Sequence, residues 1–164
     1  MLVMNKKLIY LLMLVFTLGL SFTACSDDDD DESVAQQIAG TYSGELNITG
    51  LTSEPISNNI VLSKVNDNTV KMSVASLDIP NIGTVTGIDV KSVSITKSGN
   101  TYTLTSKNED IEVDVALLGG KKTAKVKVDG TVSSNGAMSL SIVVTEIQDL
   151  TGMTLPITFA GTKK

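Results

Sequence analysis

"IEVDVALLGGKKTAKVKVDGTVSSNGAMSLSIVV", Ile111 to Val144, changes polarity at nearly every residue. Apolar side chains fall on Ile111, Val113 and Val115, on Ala124, Val126 and Val128, and on Met138, Leu140, Ile142 and Val144. A period of two sends successive side chains to opposite faces, so each run is a strand with one buried face. The runs are parted only by "GG" at 119–120 and "SNG" at 134–136. Connections that short join antiparallel neighbours. A three-residue Ser134-Asn135-Gly136 loop, with Gly136 left-handed, pairs Val132 with Met138 and Val128 with Ile142. A two-residue Gly119-Gly120 turn places Ile111 opposite Val128, Val113 opposite Val126 and Val115 opposite Ala124. On the outer face, that second register sets Glu112 against Lys127 and Asp114 against Lys125.

The same alternation extends in both directions. In "GTYSGELNI" the residues Tyr42, Gly44, Leu46 and Ile48 share one face, and Leu155, Ile157 and Phe159 do so near the C-terminus. Further turns fall at "NDN" 66–68 and "SGN" 98–100. Two strands change phase, one near Ala75-Ser76 and one between Val90 and Val93, which is what bulges do to a strand. "SVAQQIAG" (33–40) fits one helical turn capped by Ser33 and ended by Gly40. About eight to ten strands follow it, too many for a flat sheet. The expected fold is all-β, an antiparallel up-and-down β-barrel closed by the first strand, around Tyr42–Ile48, against the last, "LPITFAGTKK". Pro156 points to an irregular or poorly paired position there. The candidate interior residues are Tyr42, Leu46, Ile48, Met72, Tyr102, Met138, Leu140 and Phe159. A barrel of this size is either filled by such side chains or holds one small ligand among them.

Composition removes several function classes. The chain has no His and no Trp, and all 13 of its Lys+Arg residues are lysine. Without His, and with a single Cys, the commonest general base, metal ligands and thiol nucleophile are missing. No enzyme activity, cofactor or metal is expected. Beyond Ser33 the acids and lysines nearly balance, leaving no basic stripe for nucleic acid. Glu112 and Asp114 share a face as a hydrolase pair could, but lysines across the strand explain them as surface ion pairs.

The N-terminus has a different organisation. Lys6 and Lys7 precede the apolar run Leu8–Leu20, and "SFTA" leads into Cys25, the only cysteine. The apolar run is shorter than the ~20 residues that span a bilayer and fits a secretory signal over residues 1–24. Six acidic residues, Asp27, Asp28, Asp29, Asp30, Asp31 and Glu32, follow Ser26. Like charges repel and extend a chain, so residues 25–33 form a solvated tether ahead of a domain at 34–164. A calcium loop begun at Asp27 fails, since Glu32 and Ile38 stand where Gly and an acidic residue are needed.

Three resemblances extend this reading. "FTAC" resembles the lipobox of bacterial lipoproteins, which implies that Cys25 becomes the first mature residue and carries acyl chains. "CSDDDDDE", Cys25 to Glu32, is similar to the acidic export signal of Bacteroidota surface lipoproteins. That implies an outer-membrane protein facing the cell exterior, a periplasm-facing tether being the alternative. "AGTY" entering the first strand and "ITFAGTK" ending the last resemble the calycin-like β-barrel domain of Bacteroidota lipoproteins, a relative of lipocalins. Gly40 and Tyr42 match its Gly-x-aromatic element. The implied function is a lipid-anchored, non-enzymatic barrel whose interior binds a small hydrophobic ligand. The alternative is a protein-interaction module, such as a protease inhibitor or a scaffold component of a surface complex.

Overall fold

The computed structural model describes residues 32–164. The readings made for the leader at 1–24, for Cys25 and for Ser26 to Asp31 lie outside these residues. The described chain begins with helix α1 (Val34–Ile38) and continues as β1 (Gly40–Ile48), β2 (Ile56–Asn66), β3 (Thr69–Val74), β4 (Leu77–Ile79), β5 (Gly83–Thr86) and β6 (Asp89–Ser98). Then come β7 (Thr101–Thr105), β8 (Glu109–Val115), β9 (Gly120–Ser133), β10 (Ala137–Thr145) and β11 (Leu155–Lys163). Eight of these strands form a closed antiparallel ring in the order β1-β2-β3-β6-β7-β9-β10-β11, and β11 returns to β1. The closing pair is the expected one, running from Tyr42 opposite Lys163 to Ile48 opposite Ile157. Pro156 lies just past this pairing, and its carbonyl accepts from Thr49 N (3.0 Å).

Closure requires the first and last strands to come unusually close. At Gly44, opposite Gly161, a Cβ would overlap the Ala160 carbonyl and the Gly161 Cα. A Cβ on Gly161 would stand 2.6 Å from the Phe159 ring and 2.7 Å from the Ser43 carbonyl. Both glycines lie on the inward face, where the missing side chains let the strands coil and Phe159 fold over the gap.

The remaining three strands come from a split in the wall. β7 and β8 both pair with the 14-residue β9 and behave as one strand bent at Ser106. Ser106 is buried there, its N–H donating to the Val128 carbonyl and its Oγ accepting from Val128 N, both at 2.8 Å. Below this bend β8 departs from β6 and pairs instead with β5, which carries β4 as its hairpin partner. The second expected bulge opens the split. β6 slips against β3 so that Val70 faces Val93 but Met72 faces Val90. The freed N–H groups of Lys91 and Ser92 donate to the Glu109 carboxylate (2.9 and 3.2 Å). The phase change near Ala75-Ser76 is a break between β3 and β4 rather than a bulge within one strand.

One expected register is corrected. The Ser134-Asn135-Gly136 loop gives the predicted pairs Val132–Met138 and Val128–Ile142, with Gly136 at φ 86°. The hairpin before it does not turn at Gly119-Gly120. Ala116–Leu118 form a 3₁₀ turn closed by Gly119 at φ 79°, so Ile111 pairs with Ala124, Val113 with Lys122 and Val115 with Gly120. Ala and Leu have no branch at Cβ and turn more readily than the β-branched residues before them. The offset is four residues, an even number, so each side chain keeps its face while its ionic partner changes. Glu112 binds Lys121 (2.6 Å), Lys125 binds Glu146 (2.6 Å) and Lys127 binds Asp129 (2.8 Å). Glu112 and Asp114 face Thr123 and Lys121 across the strand.

Candidate functional site

The two ends of the barrel interior differ. At one end α1 forms a plug. Ser33 caps it by accepting from Gln36 N (3.3 Å), Ala35 N donates to the Asp67 carbonyl (3.0 Å), and Ala35 and Ile38 are fully buried. The Tyr42 hydroxyl donates to the Ile38 carbonyl (2.7 Å), tying β1 to the plug. The Tyr102 hydroxyl (2.5 Å) and Lys97 Nζ (3.1 Å) both donate to Gln37 Oε1, and Lys163 Nζ donates to the Gln37 carbonyl (3.1 Å). A polar depression of about 270 Å³ outside this cap is lined by Gln37, Tyr102, Ser133–Gly136 and Lys163. The polar groups of Gln37 are already occupied within the chain, so the depression is the outer surface of a plug.

Of the eight candidate interior residues, Tyr42, Ile48, Met72, Tyr102, Met138, Leu140 and Phe159 are buried as packed core. Burial pushes the Tyr42 phenol up to about 12, with the neighbouring Tyr102 adding to it. The sign follows from the neutral form being the buried one. The folded pKa lies above the unfolded value of about 10, so the stabilisation is complete below pH 10 and is lost between pH 10 and 12. Urea titrations should show wild-type stability falling over that window by about 2–3 kcal/mol more than Tyr42→Phe. Parallel curves for the two proteins would exclude Tyr42 as the group responsible.

The opposite end is hollow. A cavity of about 70 Å³ lies between the lower halves of the strands and the β4–β5 hairpin, with no polar group on its walls. Leu46 is the one predicted interior residue that lines it. The rest of the wall includes Leu77, Ile79 and Val85 from β4–β5, Ile111, Val113 and Val115 from β8, and Ile147 and Leu150 from the loop between β10 and β11. Their signal in the sequence was the spacing of Leu77, Ile79, Ile82, Val85 and Ile88, an apolar run interrupted by Pro80 and Gly83. Among the described residues no buried side-chain nitrogen or oxygen lacks a partner, and no three acidic or sulfur ligands converge.

Two apolar elements rim the cavity. Leu118 is half-buried on the 3₁₀ turn, and next to it Leu117 is 67% exposed. Facing them is the 146–154 loop, which enters at Glu146 with φ 51° and passes Asp149 at φ 67°, both left-handed. Four contacts hold this loop on β9, one of them from Thr123 N to Gln148 Oε1 (3.4 Å). Gln148 N donates to the Thr123 carbonyl (2.9 Å), Lys125 pairs with Glu146, and Lys122 pairs with Asp149 (2.5 Å). The Glu146 carboxylate accepts a hydrogen bond from Lys125 and raises its pKa. In this position Ile147 is buried and Leu150 is half-buried against the cavity.

Comparison with known proteins places this architecture. A candidate outer membrane protein from Bacteroides fragilis, known as a crystal structure, superposes with a TM-score of 0.59 at 16% identity. The match covers 80% of this chain and 53% of that one, so this chain spans about half of that protein's length. A redesigned β-barrel matches 80% of this chain and 96% of its own at 13% identity, TM-score 0.45. Another redesigned barrel, bound to DFHBI, matches 80% and 100% at 12% identity, TM-score 0.44. No curated protein matches the chain. The family model of the calycin-like β-barrel domain matches residues 38–162, from the last residue of the plug to the penultimate residue of the closing strand, and the chain therefore belongs to the calycin-like β-barrel domain family.

Proposed function

We propose that this chain is a lipoprotein of the outer membrane, anchored by acyl chains on Cys25, whose barrel binds a small hydrophobic ligand without catalysis. The observation that carries the binding role is the hollow end of the barrel, an apolar cavity bounded by a turn and a loop. Ligand pockets are concave and mostly apolar, and a barrel mouth is a usual place for one. The anchor rests on the sequence alone. Each buried methylene contributes roughly 0.8 kcal/mol, and two or more chains hold a protein stably. The acidic residues Asp27 to Glu32 would serve as the address to the cell exterior.

Cys25→Ala is expected to move the protein from the membrane fraction to the soluble fraction. Retention of the mutant in membranes would sink the anchor. Protease treatment of intact cells tests the address. The wild type should be digested, and replacement of Asp27–Asp31 by alanine should protect it. Native mass spectrometry of the purified protein tests the cavity, with a co-purifying lipid-sized mass as the expected result. The exposed Leu117 favours a second reading, a protein-interaction module that uses the rim rather than the cavity. Loss of a protein partner on Leu117→Asp, with no bound small mass, would support that reading instead.

A further inference from the structure

We propose that the plug end of the barrel docks on the phosphate headgroups of an anionic lipid surface through Lys97, Lys163 and Lys164, which turns the open end away from the membrane. This rests on the reading of Cys25 as an acyl anchor and adds a lipid class and an orientation to it.

Among the described residues, six lysines hold a carboxylate at 3.2 Å or less. Of the lysines without one, Lys97, Lys163 and Lys164 gather at the plug, all three exposed. Lys97 Nζ donates to Gln37 Oε1 and Lys163 Nζ to the Gln37 carbonyl, both at 3.1 Å. Lys164 joins Lys163 on the wall of the polar depression, and Lys97 Nζ lies 5.3 Å from the centre of the Tyr102 ring. These partners are neutral. They orient the ammonium groups without cancelling their charge, and they draw two like charges onto one glutamine. Asp67, whose carbonyl receives the plug, has its carboxylate taken by Lys64 (3.1 Å). An ammonium has three donors, so Lys97 and Lys163 each keep hydrogens for a further acceptor. A phosphate offers several charged oxygens on one centre and can bridge such groups.

The point where the chain enters the domain selects the source of that phosphate. Glu32 stands at the plug, its carbonyl accepting from Gln37 Nε2 (2.6 Å). Cys25 is seven residues earlier, so at no more than about 3.6 Å per residue the plug stays within about 25 Å of the acyl chains. The open end lies roughly 20 Å further along the barrel, the rise of nine-residue β1 at a usual strand tilt. A short tether holds headgroups at an effective concentration on the order of millimolar, where weak ionic contacts are filled. Each lysine near an anionic bilayer strengthens attachment about fivefold. The acids Asp27–Asp31 oppose this. Their repulsion fades over the ~8 Å Debye length of physiological salt, whereas ammonium groups touch phosphate directly.

The test places the full protein, purified in detergent, in vesicles of phosphatidylcholine alone or of phosphatidylcholine with phosphatidylglycerol. Its lysines are then acetylated and read one by one by mass spectrometry. Lys97, Lys163 and Lys164 should react about fivefold more slowly in the anionic vesicles, while Lys91 and Lys107, away from the plug, react alike in both. Raising salt from about 0.05 M to about 0.5 M should remove the difference. Equal rates for the three lysines in both vesicles would overturn the headgroup contact and leave the anchor standing. Absence of the protein from both vesicles would overturn anchor and contact together. Equal slowing by inorganic phosphate in detergent would overturn the lipid assignment in favour of a soluble phosphate. Faster reaction in neutral vesicles once Asp27–Asp31 are replaced by alanine would assign the lysines to the chain's own acids and overturn the proposal.

Discussion

Gly44→Ala is expected to unfold the barrel or to leave it open along the β1–β11 seam. The substitution adds one methyl group, normally neutral or favourable in a strand. Here that methyl would occupy the space of the Ala160 carbonyl and the Gly161 Cα. Backbone on the facing strand cannot rotate away as a side chain can. The two strands must separate, and separation breaks the ladder that closes the ring. A loss of about 3 kcal/mol or more is expected, at the upper end of single substitutions. Urea denaturation should show the midpoint falling steeply or no folded baseline at all. A loss below ~1 kcal/mol would mean that the seam is more tolerant than its packing indicates. Gly130→Ala is a useful companion, because a Cβ there meets the Ser139 carbonyl and Leu140 on the neighbouring β10.

Phe159→Ala should be the most damaging truncation in the core. Its ring is 1% exposed and lies against Gly161, so it fills the space that the two seam glycines leave empty. Removing it deletes the ring's transfer free energy and opens a void that strand-borne neighbours cannot collapse into. Phe→Ala changes of this kind cost about 3–5 kcal/mol. The denaturation slope should stay constant while the midpoint falls, the pattern of a weakened but still cooperative fold. A change of less than ~1 kcal/mol would show the plugged end to be loosely filled. The prediction thereby separates the two ends of the interior, one packed and the other hollow.

The sequence carried face and strand better than it carried register. Alternation at Ile111, Val113 and Val115 identified the buried face correctly because a period of two is insensitive to where the chain turns. Register depends on the turn itself. Ser134-Asn135-Gly136 was legible because its Gly sits where a short loop requires a left-handed residue. Gly119-Gly120 was not, because both glycines have positive φ and only the first closes the turn. Ala116, Leu117 and Leu118 read as more strand, and their role as a turn rests on the packing of Leu118 beside the cavity.

The candidate site was legible in kind but not in place. The predicted interior residues came from the most regular strands, and regular strands pack most completely. All eight became core, and only Leu46 among them also reaches the cavity. The hollow end combines regular-strand residues such as Ile111, Val113 and Ile142 with segments whose alternation is interrupted, Leu77–Val85 and Ile147–Leu155. An interrupted pattern gives no phase from which to infer what an apolar residue faces. Lys122 has the parity of Ala124, Val126 and Val128, so the alternation already put it on the inward face. What the sequence did not show is its pairing with Asp149, 27 residues on.

The β1–β11 seam also bears on how the molecule is made. Hairpins such as β9–β10 bring together residues close in sequence and form quickly. The seam joins Tyr42 to Lys163, nearly the two ends of the domain, and the entropy of that long loop must be met before any of its contacts form. Folding is therefore expected to finish with ring closure, and it cannot do so until the last strand has been delivered. Until then both seam strands present free edges, and the glycines that let them meet also leave those edges without bulky side chains to screen them. The interval between formation of β1 and arrival of β11 is when the chain most needs a chaperone.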